Sequence, residues 1–144
     1  MRLEPLCNLQ LGYRSDFTLI RPFGSEEGSG YGEIEGTVEG ETLRGTFRGV
    51  NHPHRRSDKA MLPDAHGIIR THDDATILFS LDGRTVWVDT PEGKQGRQLL
   101  RTLFETQDER YEWLNNAFCV LEGKISAATG KMEARVYRCV SDLI

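Results

Sequence analysis

All four histidines of the chain fall between residues 52 and 72, among arginines and aspartates. In "DAHGIIRTH", Asp64, His66, Ile68, Arg70 and His72 alternate, so a regular strand would set them on one face. A carboxylate beside an imidazole fixes its tautomer and raises its basicity, and an arginine can hold an enolate or a carboxylate. The candidate catalytic set is therefore His66 to move a proton, Asp64 to orient it and Arg70 to stabilise negative charge. The alternative is that this face points to solvent and its polar groups are merely wet.

A second cluster is "GVNHPHRRSD", Gly49 to Asp58. Its HxH spacing places His52 and His54 on one side of an extended segment, as in metal-binding cupin barrels. No glutamate follows at the cupin interval, Arg55 and Arg56 bring positive charge, and Pro53 suits a loop better than a central strand. The expectation is a polar loop at a barrel mouth, no metal, and Arg55 and Arg56 as candidates for binding a substrate carboxylate. Gly28, Gly30 and Gly32 lack the strand-turn-helix setting of a nucleotide fingerprint, and no GxSxG elbow is present, so no cofactor is expected.

The elements that must carry these residues read as strands. Fifteen glycines, five prolines and recurrent two-residue periodicity point to short strands and tight turns. Leu3, Cys7, Leu9 and Leu11 share one face of a first strand, and "RPFGSEEGSGYGE" reads as a mobile surface loop. "YGEIEGTVEGETLRGTFRG" folds on paper about a Gly40-Glu41 turn, with Val38 opposite Leu43, Ile34 opposite Phe47, Gly36 opposite Gly45 and Glu33 opposite Arg48. Its paired glycines would allow sharp coiling or close backbone approach. Asp82-Gly83 reads as a second hairpin turn, Asp73-Asp74 as a third, and "TPEGKQG" as a polar loop before a strand "LLRTLFET".

Thr106 and Glu109 have capping-box spacing before one short helix, "RYEWLNN". Tyr111 and Trp113 on it would plug a barrel end or line a ligand cavity, and Glu105 faces the same choice. "AFCVLEGKI" and "KMEARVYRCV" close the chain as strands. The fold expected is all-β: a single domain over residues 1–144, a closed antiparallel barrel of about eight to ten strands with one short helix.

Composition removes several classes. A net charge of −4 leaves no basic excess for nucleic-acid phosphates, so no nucleic-acid partner is expected. No apolar run approaches membrane-spanning length and the first residues lack a signal-peptide core, so a soluble cytoplasmic protein without a membrane partner is expected. Cys7, Cys119 and Cys139 are odd in number and form no CxxC, which reads as reduced, mostly buried thiols.

"GTVEGETLRG", "RTHDDA" and above all "LFETQDERYEWLN", followed by a last strand containing "VY", resemble the small bacterial barrel family numbered three-two-three-seven among domains of unknown function. The likeness runs from Gly32 to Val140, with "FET.D.RY.WLN", Phe104 to Asn115, its most specific part. It implies a small antiparallel barrel of the allene oxide cyclase type, with no settled activity. Members often follow the glycine hairpin with a "GGADW"-like stretch, where this chain has "GVNHPHRRSD". Two functions are expected from these readings. One is a cofactor-independent isomerase, cyclase or lyase acting on a small apolar or carboxylated molecule in the lumen, with Tyr111 and Trp113 shaping the pocket. The other is a non-catalytic small-molecule binder or an oligomeric structural barrel; a homo-oligomer is expected in either case. A metal-dependent cupin-like enzyme is a thinner third.

Overall fold

A computed structural model describes residues 1–14, 16–25 and 27–144. Its strands are β1 (Arg2–Tyr13), β2 (Thr18–Ile20), β3 (Ser29–Glu39), β4 (Gly45–Asn51), β5 (His54–Arg55), β6 (Met61–Leu62), β7 (Asp64–Thr71), β8 (Thr76–Thr90), β9 (Gly93–Glu105), β10 (Cys119–Ser126) and β11 (Met132–Val140). The order β1-β11-β10-β9-β8-β7-β4-β3 returns to β1 through antiparallel pairs running from Asn8↔Glu39 to Tyr13↔Ile34, which closes an eight-stranded antiparallel barrel. The short strands β2, β5 and β6 are additions around one end. The only helix among the described residues is one 3-10 turn, Glu112–Asn116, and no helix is long and apolar enough to cross a membrane.

Alternation decides what fills the barrel. Ile34, Val38, Phe47, Ile69, Ile77, Phe79, Leu81, Leu100, Phe104, Leu121 and Val136 point inward and are buried, while the intervening positions on the same strands face solvent. The β3–β4 hairpin departs from the expected register by two residues: Val38 lies opposite Gly45, Gly36 opposite Phe47, Ile34 opposite Gly49, and Arg48 meets Glu35 rather than Glu33. The shift sets each bulky inward residue against a glycine. It also releases Leu43 from the strand to become a fully buried stopper at the closed end, which a two-residue turn at Gly40-Glu41 would not have allowed.

Asp82-Gly83 is not a turn. Both residues lie inside the continuous strand β8, which leaves β7 at Asp64↔Asp82 and meets β6 at Met61↔Thr85. Gly83 has φ +154°, and a Cβ there would stand 2.2 Å from the Leu99 carbonyl oxygen. The same backbone freedom that makes Asp-Gly a turn signal here serves a kink and a close approach to β9. The turn lies instead at Pro91-Glu92, so "GKQG" belongs to β9. In β1 a bulge between Pro5 and Cys7 breaks the alternation, which puts Leu6 inside with Cys7 and leaves Leu3 exposed. The segment Arg21–Glu33, expected as loop, is strand from Ser29; Ser15 and, within that segment, Glu26 lie outside the described residues.

Two inward polar groups on β9 have no partner among the described residues: Gln98 Oε1 and Thr102 Oγ1. Thr102 is buried in the apolar middle of the barrel, where an unmade hydrogen bond costs about 1–3 kcal/mol. Thr102→Val, nearly isosteric, is expected to raise unfolding free energy by about 1 kcal/mol in urea titrations; a loss of stability would mean that the hydroxyl is satisfied. Cys7 and Cys119 share this interior, and burial pushes their thiols up to about 12 and about 11. Neither thiol is a nucleophile at neutral pH.

Candidate functional site

The middle of the barrel is full. Between Cys7, Phe47, Phe79, Thr102 and Phe104 only about 10 Å³ of free space remains, too little for a ligand. An eight-stranded barrel leaves an interior that side chains just fill. Space opens at the end where β4, β8 and β10 finish and β9 and β11 begin. There a cavity of roughly 360 Å³ is lined by Tyr13, Phe17, Pro53, Met61, Pro63, Trp87 and Ile125, with Asp16, Asn51, Thr85, Gln98, Ser126 and Thr129 as polar groups.

Its polar groups are held in place. Asn51 Nδ2 donates to Tyr13 Oη at 3.1 Å, and Asn51 Oδ1 accepts from the Asp64 amide at 3.1 Å. Because the Tyr13 oxygen is already accepting, its own proton is left to donate. Burial raises the Tyr13 pKa and the Asn51 hydrogen bond opposes that rise. Gln98 Nε2 donates to Thr85 Oγ1 at 3.1 Å, and Phe17 meets Tyr13 edge-on at 5.2 Å between centroids. The cavity is thus an aromatic cup with fixed neutral hydrogen-bonding groups, and Asp16 is exposed beside it.

The sequence-derived candidates lie elsewhere. Asp64 and His66 do meet, Oδ1 to Nε2 at 3.0 Å, but on the outer wall with both side chains more than half exposed. The inward positions of β7 are Ala65, Gly67, Ile69 and Thr71, because a lumen this narrow admits small or apolar groups on that strand. Arg70, also outside, donates to Thr76 Oγ1 at 2.7 Å. The trio therefore does not line the barrel. His66 and Glu105 instead border an open trough on the outer wall together with Ile68, Leu78 and Leu103.

Arg56 is engaged by its own loop, giving Asp58 two hydrogen bonds at 3.1 and 2.6 Å, and Arg55 is exposed on β5. His52 and His54 stand 5.5 Å apart by centroids, and no third His, Cys, Asp or Glu joins them among the described residues. This polar segment does lie at the mouth, where Pro53 and not either histidine lines the cavity.

Tyr111, Trp113 and Glu105 belong to the opposite end. Thr106 does not make a capping box; its hydroxyl donates to the Thr76 carbonyl at 2.7 Å and accepts from the Asp108 amide at 3.1 Å. Asn115 closes the loop through the Thr106 amide at 2.7 Å and carbonyl at 2.9 Å. The Tyr111 ring is buried as a plug and its hydroxyl donates to Asp73 Oδ1 at 2.7 Å, beside the Thr71 hydroxyl at 2.6 Å. Trp113 is half-buried against the same core.

Hydrogen bonds from Thr71 and then Tyr111, aided by Arg110, hold Asp73 down at about 2. A carboxylate depressed in the folded state stabilises above its unfolded pKa near 3.9 and loses that contribution as pH falls towards the folded value. Wild-type protein is expected to lose stability from about pH 4 down to about pH 2 along a slope that is shallower in Asp73→Asn, where Asp58, Asp108 and Glu133, also lowered, still contribute. Denaturant titrations across that range check this; equal slopes would contradict it.

Fold and site together define a small closed antiparallel barrel, packed through its middle and open to a cavity at one end. The chain belongs to the family described as protein of unknown function (DUF3237), whose model matches residues 1–139. No curated protein matches the chain. Among solved structures, a β-barrel-like protein (ABAYE2633) from Acinetobacter baumannii AYE is similar at 19% identity and TM-score 0.85, over 95% of this chain and 94% of that one. A protein with unknown function from Clostridium acetobutylicum ATCC 824 follows at 20% and 0.82, over 96% of each chain. A structure called an enzyme from Penicillium herquei is similar at 20% and 0.64, over 95% of this chain and 98% of that one. At these identities the likeness shows the fold.

Proposed function

We propose that the protein binds a small, largely apolar molecule in the cavity at the barrel mouth and acts on it without a cofactor, as an isomerase, cyclase or lyase. The observation that carries this is the Tyr13 hydroxyl, fixed by Asn51 with its proton free, on the wall of an aromatic cavity. Tyr13 supplies the proton donor and Asp16 at the rim the acceptor that a proton-transfer reaction needs. Of the two substrate types expected from sequence, the apolar one fits better than the carboxylated one, because the described lining holds Asp16 and no lysine or arginine. Three unpaired thiols suit a reducing, cytoplasmic setting.

A non-catalytic, assembling barrel is the second reading. It rests on the exposed Ile68 and Leu78, cross-strand neighbours that share the outer trough with Leu103. Light scattering of the purified protein tests it, and a monomer at micromolar concentration contradicts it. The first reading is tested by native mass spectrometry of protein from its own cells. A retained organic molecule, released unchanged from Tyr13→Phe and Asp16→Asn but converted by wild type, supports catalysis at the mouth. Conversion that survives both substitutions overturns it.

A further inference from the structure

The outer wall over β4, β7, β8 and β9 carries a row of cross-strand neighbours, Arg48, Ile68, Leu78 and Glu105, set by the pairs Arg48↔Ile68, Ile68↔Leu78 and Leu78↔Glu105. All four side chains point away from the barrel, and Ile68 and Leu78 are 41% and 42% exposed. The row beside it reads Val50, His66, Ser80 and Leu103, with Val50 and Leu103 half-buried. Apolar side chains gathered on one sheet face mark a contact surface, where scattered ones do not.

The ends of the first row decide what covers it. Arg48 stands at one end and Glu105 at the other, and among the described residues neither makes an ion pair. Glu35, the carboxylate across from Arg48, is held by Arg14 at 3.4 Å. A two-fold axis lying along the strands between β7 and β8 reverses the row, so a second copy of the chain sets its Glu105 against Arg48 and its Leu78 against Ile68. The second row reverses equally well, Leu103 onto Val50 and Ser80 onto His66. One row further, Asp64 faces Asp82, but each is already hydrogen-bonded, to His66 at 3.0 Å and to Arg101 at 2.9 Å. The wall of a barrel is convex, so two copies come closest at β7 and β8, where the aliphatic groups lie, and diverge towards β4 and β9, where long side chains such as arginine and glutamate reach across. We propose that this face joins two copies of the chain in a two-fold dimer, with Ile68 and Leu78 at its centre and an Arg48–Glu105 pair at each edge. The inference rests on the assembly reading of the outer wall, to which it adds the partner and the symmetry, and is independent of the reading of the mouth.

Sedimentation velocity over a micromolar concentration series tests it on wild type, Arg48→Glu, Glu105→Arg and an equimolar mixture of the two variants. Wild type is expected to sediment as a dimer. Each substitution, at an exposed position, sets like charges together at both edges and is expected to raise the dimer dissociation constant about tenfold. The mixture is expected to regain the wild-type constant, because a dimer holding one chain of each kind puts a carboxylate against a guanidinium at both edges. A variant that is merely misfolded gains nothing from mixing. Wild type that stays monomeric throughout overturns the inference and the assembly reading together. An assembly larger than a dimer, a dimer indifferent to both reversals, or one weakened by them without recovery on mixing overturns the two-fold pairing and leaves assembly through another face standing.

Discussion

Gly36→Val is expected to prevent the barrel from closing. Gly36 sits in the seam between β3 and β1, opposite Leu11, and across from Phe47 on β4. A Cβ at Gly36 would lie 1.9 Å from the Gln10 carbonyl oxygen and 2.8 Å from the Leu11 Cα, both backbone atoms that cannot swing aside. Relief would require parting β1 from β3, which breaks the one ladder that turns an open sheet into a barrel and exposes two edges. The expected loss exceeds about 4 kcal/mol, the range of severe packing defects, and is read as an unfolded or aggregated product by circular dichroism and gel filtration. A folded Gly36→Val barrel with near wild-type stability would show that closure does not run through this seam.

Trp87→Ala is expected to weaken binding of 2-naphthol, a small fused-ring probe of the mouth, about thirtyfold, the scale on which removal of a central aromatic anchor is felt. Trp87 supplies one ring of the cup and packs on the core edge beside Thr85 and Gln98. Its loss removes stacking surface from the cup. His66→Ala, on the outer wall, is expected to leave the affinity unchanged. Calorimetry on both folded variants checks this pair, and the reverse pattern would move the site to the outer trough.

Much of the architecture was legible in the residues. Alternation in "EIEGTVE" and "MEARV", the Asp73-Asp74 turn and the abundance of glycine all pointed to a closed antiparallel barrel, and Asp74 does take the positive φ, 67°, that such a turn needs. Register was less legible, since a two-residue slip preserves both faces; the burial of Leu43 and the glycine set against each bulky inward residue distinguish the two pairings. Asp82-Gly83 misled because glycine reports a need for backbone freedom, not what the freedom is used for.

The candidate site at the mouth was largely illegible, for a geometric reason. Tyr13, Asn51, Trp87 and the Thr85–Gln98 pair come from four strands, and Tyr13 and Asn51 join the β8–β9 residues only once the barrel has closed, so no local spacing joins the whole set. One signal was present: in "GRQLLRTLF" Gln98 and Thr102 sit on the same row as Leu100 and Phe104, the row that turns inward. Leu99 and Leu103, apolar on the outer face, blurred that alternation. The Asp64, His66 and Arg70 row had the composition of a site, and His66 did find Asp64, but a strand face rich in ionisable groups is more cheaply hydrated outside than buried in a narrow lumen. The "FET.D.RY.WLN" stretch is explained by structure, since Thr106, Tyr111 and Asn115 seal the closed end.

The chain has two tryptophans, Trp87 at the open mouth and Trp113 at the sealed end. Titration of 15N-labelled protein with 2-naphthol, following the two indole N–H resonances, therefore reports directly where a ligand sits. Binding at the mouth predicts a saturable shift of the Trp87 indole with the Trp113 indole unmoved. A shift confined to Trp113 would contradict the account and return the search to the sealed end and the outer trough.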